Sequence, residues 1–112
     1  MTNGSEKTVH TLVPAVDIRE TKNSYVVTLD IPGAEKERIK AQIENNTLIV
    51  TASIEETAGA DRAADVVQEY RREFSLANDV DMHTIEAKYE LGVLSITLNK
   101  KAQFLPKEIT IN

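Results

Sequence analysis

Apolar and polar residues alternate with a period of two along most of this chain. Val16 and Ile18 are separated by Asp17 and followed by Arg19; Tyr25, Val27 and Leu29 continue at the same spacing. Ile39, Ala41 and Ile43 alternate with Lys40, Gln42 and Glu44, and Leu48, Val50, Ala52 and Ile54 recur across Thr47–Ile54. The pattern returns as Tyr70, Arg72 and Phe74 within Val66–Ser75, as Ile85, Ala87 and Tyr89 within Thr84–Tyr89, and as Leu94, Ile96 and Leu98 within Val93–Asn99. Side chains two apart share one face of a strand, so each run predicts a half-buried strand with one wet face.

Turn residues punctuate these runs. Thr21–Ser24 is a polar cluster, Pro32-Gly33 ends the second run, and Asn78-Asp79 separates two later ones. Asn45-Asn46 suits a tight hairpin, because Asn tolerates positive φ. Leu91-Gly92 does not, because Leu at positive φ costs roughly 1–2 kcal/mol. The expectation there is a three-residue loop: Glu90 and Leu91 form a type I turn with negative φ at Leu91, and Gly92 alone is left-handed. Glu35–Arg38 reads as a charged link, and residues 55–65 (EETAGADRAAD) as a mobile loop. Seven or eight short strands predict an all-β chain folded as an immunoglobulin-like antiparallel β-sandwich. The domain spans residues 15–100, between a flexible N-terminal arm (1–14) and a C-terminal tail (101–112).

Composition agrees. Val, Ile and Thr supply 31 of the 112 residues, and β-branched side chains suit a pleated surface. A chain this short holds a single domain. The net charge of −5 argues against nucleic acid, which needs a basic face, and against an anionic membrane surface. Without cysteine there is no disulfide framework and no thiolate metal site. No apolar run is long enough to span a bilayer, and MTNGSEKTVH has no signal-peptide core, so a cytoplasmic protein is expected.

Catalytic patterns are missing: there is no Gly-rich phosphate loop, no HExxH and no GxSxG. His10 falls in the arm and His83 in a predicted loop, where both read as solvated. Glu55-Glu56 has nothing beside it to raise a carboxyl pKa. The expectation is no enzyme, no metal and no cofactor. Ile109 and Ile111 flank Thr110 near the C-terminus, giving two apolar knobs on one side of an extended segment. They fit either a last strand on the chain's own sandwich or strand addition to another subunit. The linker Lys100–Pro106 favours the second by spacing the knobs away from the body.

Five stretches, in order, resemble the small heat-shock proteins, the family built on the α-crystallin domain. PAVDI (14–18) resembles the start of that domain and DIPG (30–33) its first sharp turn. Tyr70-x-Arg72-x-Phe74-x-Leu76 is similar to its aromatic–arginine–aromatic strand, and Ala87-x-Tyr89-x-x-Gly92-Val93-Leu94 to its hairpin. Ile109-x-Ile111 after Pro106 resembles its C-terminal anchor. The chain departs from the pattern in having Ala77 for the usual Pro, Leu91 for the usual Asn, and a short aromatic-free segment before the domain.

The resemblance implies an ATP-independent holdase chaperone that keeps partly unfolded client proteins from aggregating. It implies self-association into dimers and larger oligomers. It places the two tail isoleucines in a groove formed by Ile39, Ala41 and Ile43 with Ile85, Ala87 and Tyr89 of a neighbour, and we expect pockets floored by Ala41 and Ala87. Arg72 falls at the family's dimer interface. Val66 and Val67, or the residues before them, are expected to cross to the partner as an edge strand. Two alternatives stay open. One is an assembly-only subunit with weak holdase activity, suggested by the short arm. The other is a co-chaperone binding module resembling the CS domain, against which the Ile-x-Ile tail argues.

Overall fold

Burial follows the alternation. Leu48, Val50 and Ala52 are buried, as are Val27 and Leu29, and Leu94, Ile96 and Leu98, while the residues between them are more exposed. The computed structural model describes residues 8–54, 66–104 and 111. It contains β1 (Thr8–Leu12), β2 (Ala15–Glu20), β3 (Ser24–Asp30), β4 (Ala34–Glu44), β5 (Thr47–Ile54), β6 (Val66–Ser75), β7 (Val80–Glu90), β8 (Val93–Lys100) and a short 3-10 helix, Ala102–Phe104.

Two four-stranded sheets form, ordered β1-β6-β5-β4 and β2-β3-β8-β7. Every pairing is antiparallel except that of β1 with β6. Opposed residues share a face. Leu48 lies opposite Phe74, and Leu29 opposite Leu94, so each sheet presents one apolar surface and both contribute to a single core. The expected all-β sandwich is the observed fold.

Three segments differ from the sequence reading. Part of the arm is ordered: Thr8–Leu12 adds a parallel strand to the edge of β6. Glu35–Arg38 is not a link but the first part of β4, with a register shift between Ala34 and Ile39 where the charged side chains stay outside. His83 lies in β7 and is exposed. The loop expected at 55–65 falls outside the described residues.

The turns repay closer reading. Pro32 and Gly33 (φ 88°) make a turn closed by Ala34 N donating to Ile31 O at 3.2 Å, the type II arrangement that needs Gly in third place. Asn45 (φ 51°) and Asn46 (φ 59°) form the expected hairpin turn. Leu91 contradicts the expectation: its φ is 51° and that of Gly92 is 80°. Glu90 pairs with Val93, so the loop has two residues, not three. The core imposes this. Leu94, Ile96 and Leu98 must face inward opposite Tyr89, Ala87 and Ile85, and a slip of one residue would turn them all out. Gly92 O also accepts from Ile31 N at 2.8 Å, and a Cβ on Gly92 would come within 3.4 Å of Pro32 Cα.

Leu91 therefore carries backbone strain while its side chain is 97% exposed. Replacing it with Asn, which tolerates this conformation, is expected to stabilise the fold by about 1 kcal/mol. Urea unfolding checks this: the midpoint should rise with an unchanged slope.

Candidate functional site

Each sheet ends in a strand with one unpaired edge, and the two rims where the sheets come together are not closed. At the first rim β4 faces β7. Ile39, Ala41 and Ile43 lie opposite the buried Ala52, Val50 and Leu48, so they point to the inner face of their sheet. Ile85, Ala87 and Tyr89 lie opposite Leu98, Ile96 and Leu94, with the same consequence. All six residues picked from the sequence therefore line the inner margins of the two edge strands.

Their sizes decide what the rim looks like. Ile39, Ile43, Ile85 and Tyr89 are half-buried against the core, whereas Ala41 and Ala87 face inward yet are exposed. A methyl group in each strand is too short to close the gap between the sheets. A cavity of about 170 Å³ opens there, lined by Lys36, Ile39, Ala87, Tyr89 and Leu94. It brings together three of the six expected residues and has Ala87 in its lining. Ala41, Ile43 and Ile85 lie farther along the strands, outside it. The Tyr89 hydroxyl donates to Ala34 O at 2.8 Å and lies 3.3 Å from Ile31 O. This ties the ring, one wall of the cavity, to the Pro32-Gly33 turn.

At the second rim β2 faces the end of β6. A cavity of about 200 Å³ is lined by Ile18, Tyr25, Val27, Phe74, Ser75, Leu76, Ala77, Val80 and Leu98. Ile18 lies opposite Val27 and faces inward, yet is 57% exposed. Sequence reasoning missed this cleft. Its one legible signal was an inward Ile on a strand otherwise polar at Asp17, Arg19 and Glu20. Arg72 shares the inner face of β6, opposite Val50, and its guanidinium carbon lies 5.7 Å from the Phe74 ring centroid. It is exposed, and among the described residues no carboxylate pairs with it.

Among the described residues β5 pairs with β6 from Gln68 onward, and Val66 and Val67 lie opposite Thr8 and Val9. Ile111 is 90% exposed, and Ile109 lies outside the described residues. His10 and His83 are both exposed.

A polar latch closes the end of the second cleft, where the tail leaves the body. The Tyr25 hydroxyl donates to Asp79 at 2.8 and 3.0 Å to its two oxygens. Lys100 Nζ lies 2.7 Å from Glu20 Oε2 and 5.0 Å from the Tyr25 ring centroid. The hydrogen bond to Asp79, then burial, then the charges of Asp79 and Glu20 push the Tyr25 phenol up to about 12. The folded chain thus keeps this proton above pH 10, the ordinary value. Stability from Tyr25 is complete below pH 10 and is lost as pH rises toward 12. In an ultraviolet phenolate titration one of the three tyrosines should ionise last. Asp79→Asn should bring that step back toward the ordinary value.

Comparison with known proteins agrees with this fold. The profile of the Hsp20/alpha crystallin family matches residues 17–112. A 22.0 kDa heat shock protein of Arabidopsis thaliana is 38% identical over 96 residues, which is 80% of this chain and 49% of that one. A probable 15 kDa heat shock protein of Leptospira interrogans is 32% identical over 102 residues, covering 88% of this chain and 78% of that one. Among solved structures, a small heat-shock protein from Xylella fastidiosa superposes with a TM-score of 0.69 at 28% identity, covering 90% of this chain and 97% of that one. The chain spans about half the length of the Arabidopsis protein. Among the described residues no helix is long and apolar enough to cross a membrane.

Proposed function

The chain belongs to the Hsp20/alpha crystallin family, and from that membership we propose that it is an ATP-independent holdase, binding partly unfolded proteins and assembling from dimers into larger oligomers. The observation that carries the reading is the open rim between β4 and β7. Ala41 and Ala87 face inward there yet stay exposed, leaving apolar surface uncovered between the two edge strands. In this reading the tail of one subunit lies along the rim of the next, with Ile109 and Ile111 over Ile39, Ala41, Ile43, Ile85, Ala87 and Tyr89. The uncovered apolar face becomes available to clients when the tail leaves. No step of this activity is catalytic, and no cofactor takes part.

Magnitudes favour a reversible contact. Burying one Ile contributes roughly 1.5–3 kcal/mol, while ordering each residue of an extended tail costs about 1–2 kcal/mol. A single tail is therefore held weakly, and an oligomer persists because many tails act together. Heating shifts each balance toward release without touching the core.

Arg72 supplies the dimer contact in the same proposal. Its guanidinium lies over an aromatic ring at an open rim, placed to meet a carboxylate of a second copy, while the segment leading into Val66 and Val67 crosses to that copy.

Two outcomes test assembly. Ile109→Ala with Ile111→Ala should lower the light-scattering mass to dimers or smaller, with thermal unfolding unchanged; a mass equal to wild type removes the tail from the account. Arg72→Ala should weaken the dimer by about tenfold in Kd, or roughly 1.4 kcal/mol, as read by sedimentation. Holdase activity itself is measured by heating an aggregating client with and without the chain in the absence of ATP. Suppressed turbidity supports the reading, whereas a large oligomer that leaves turbidity unchanged identifies an assembly-only subunit.

A further inference from the structure

We propose that β1 is a removable cap on the edge of β6, and that the edge it vacates takes an extended apolar segment of an unfolded client as an added parallel strand. This rests on the holdase reading and names a client site distinct from the β4–β7 rim.

The two halves of β6 are protected differently. Its second half carries Arg71, Arg72 and Glu73, with Arg71 Nη2 2.9 Å from Glu73 Oε2, and its edge is bare. Charge alone discourages strand addition there. Its first half carries Val66, Val67 and Tyr70 with a single charge, Glu69, and this is the half that Thr8–Leu12 covers. The cap thus sits over the part of the edge that charge protects least.

The cap is lightly held. Among the described residues β6 is its one sheet neighbour, the pairing is parallel, and it spans five residues. Val9 is 54% exposed, His10 and Thr11 are exposed, and Leu12 is only half-buried. Such an element opens locally long before the domain unfolds. From Gln68 onward the strand beneath it does not depend on it. β5 pairs with β6 from Gln68 to Ser75, and the Tyr70 hydroxyl donates to Pro32 O at 2.8 Å. When β1 leaves, the edge from Gln68 to Tyr70 remains preformed.

The cap also states what fits. Leu12 lies opposite Tyr70 and Val9 opposite Val67, so the edge accepts an extended segment with apolar side chains at those places. Main-chain hydrogen bonds supply the affinity and make little demand on sequence. An unfolded chain meets this requirement. The outer strands of a folded second copy are charged instead: β2 carries Asp17, Arg19 and Glu20, β4 carries Lys36, Glu37, Arg38 and Lys40, and β7 carries Glu86, Lys88 and Glu90.

Thr11 and Glu69 are register partners on β1 and β6, and the chain has no cysteine. The test is therefore the full chain with Thr11→Cys and Glu69→Cys, oxidised within the subunit and compared with its own reduced form. The oxidised form should hold about threefold less client in soluble complex, at unchanged oligomer mass. A fluorescent peptide of sequence KTVHTLVP should bind the oxidised form about tenfold more weakly than the reduced one. A control pair across β7 and β8, Lys88→Cys with Ser95→Cys, should show no difference on oxidation. Thr11→Pro, which removes a β1 donor without touching the sandwich, should raise the client held. Equal client and peptide binding by the oxidised and reduced forms overturns the cap and leaves the holdase reading standing. A Thr11→Pro chain that grows in mass without holding more client also overturns it, since the edge then takes a second copy. Failure of the wild-type chain to hold any client, with peptide binding still controlled by the lock, removes the holdase reading and the client as occupant together.

Discussion

Leu94, Ile96 and Leu98 on β8 share one buried cluster with Leu48, Val50 and Ala52 on β5, and this contact between the two central strands sets the register of the rest. Each strand beside them must present its own inward row to the same core, because side-chain direction reverses at every residue. Ile39, Ala41 and Ile43 are turned inward by β5; Ile85, Ala87 and Tyr89 are turned inward by β8. Arg72 is turned inward too, opposite Val50, although a guanidinium gains nothing from the core. It escapes by lying near a rim, where it reaches solvent and the Phe74 face. Even Leu91 follows from this contact. With Leu94 fixed opposite Tyr89, two residues remain to turn the chain, and one of them is Leu at positive φ.

The same constraint explains why apolar surface is exposed where it is. A sandwich closes where inward side chains from both sheets are long enough to meet. Over β5 and β8 they are. At the β4–β7 rim alanine stands in each strand, and at the β2–β6 rim Ile18 has only the shallow Ala77 and Leu76 region beyond it. Neither opening is a packing fault in the core, whose residues remain buried. Both lie at margins, where surface can be covered or uncovered by an added segment at little cost to the body.

Much of this was legible in the sequence. A strict period of two, broken by Pro32-Gly33, Asn45-Asn46 and Gly92, marks strands and turns without reference to any neighbour. Alternation assigns faces within each strand, but the resemblance to the small heat-shock proteins is what singles out Ile39, Ala41 and Ile43 with Ile85, Ala87 and Tyr89 as one rim. Three things were not legible. Thr8–Leu12 has too little periodicity to read as a strand, since it pairs with a distant edge and most of its described side chains stay wet. Glu35–Arg38 reads as a link because β4 is an edge strand there and its charges need no burial. The negative φ expected at Leu91 weighed a local cost of about 1–2 kcal/mol without the larger, non-local cost of shifting three buried side chains.

Leu91 also shows how rigidity and openness are divided in this chain. The turn that holds it is tied to the Pro32-Gly33 turn through Gly92 O and Ile31 N, and that second turn is tied through its carbonyls to Tyr70, from Pro32 O, and Tyr89, from Ala34 O. One small knot therefore joins both sheets. It stiffens β6 beneath the cap and holds the aromatic wall of the β4–β7 rim. An edge that is to accept an added strand needs such backing, because one that frays with its cover offers nothing preformed to bind. Tyr70 and Tyr89 bear on separate openings, yet both hydroxyls end in the same four-residue turn. Loosening that turn would therefore release both hydroxyls together, whereas loosening β1 leaves Tyr89 in place.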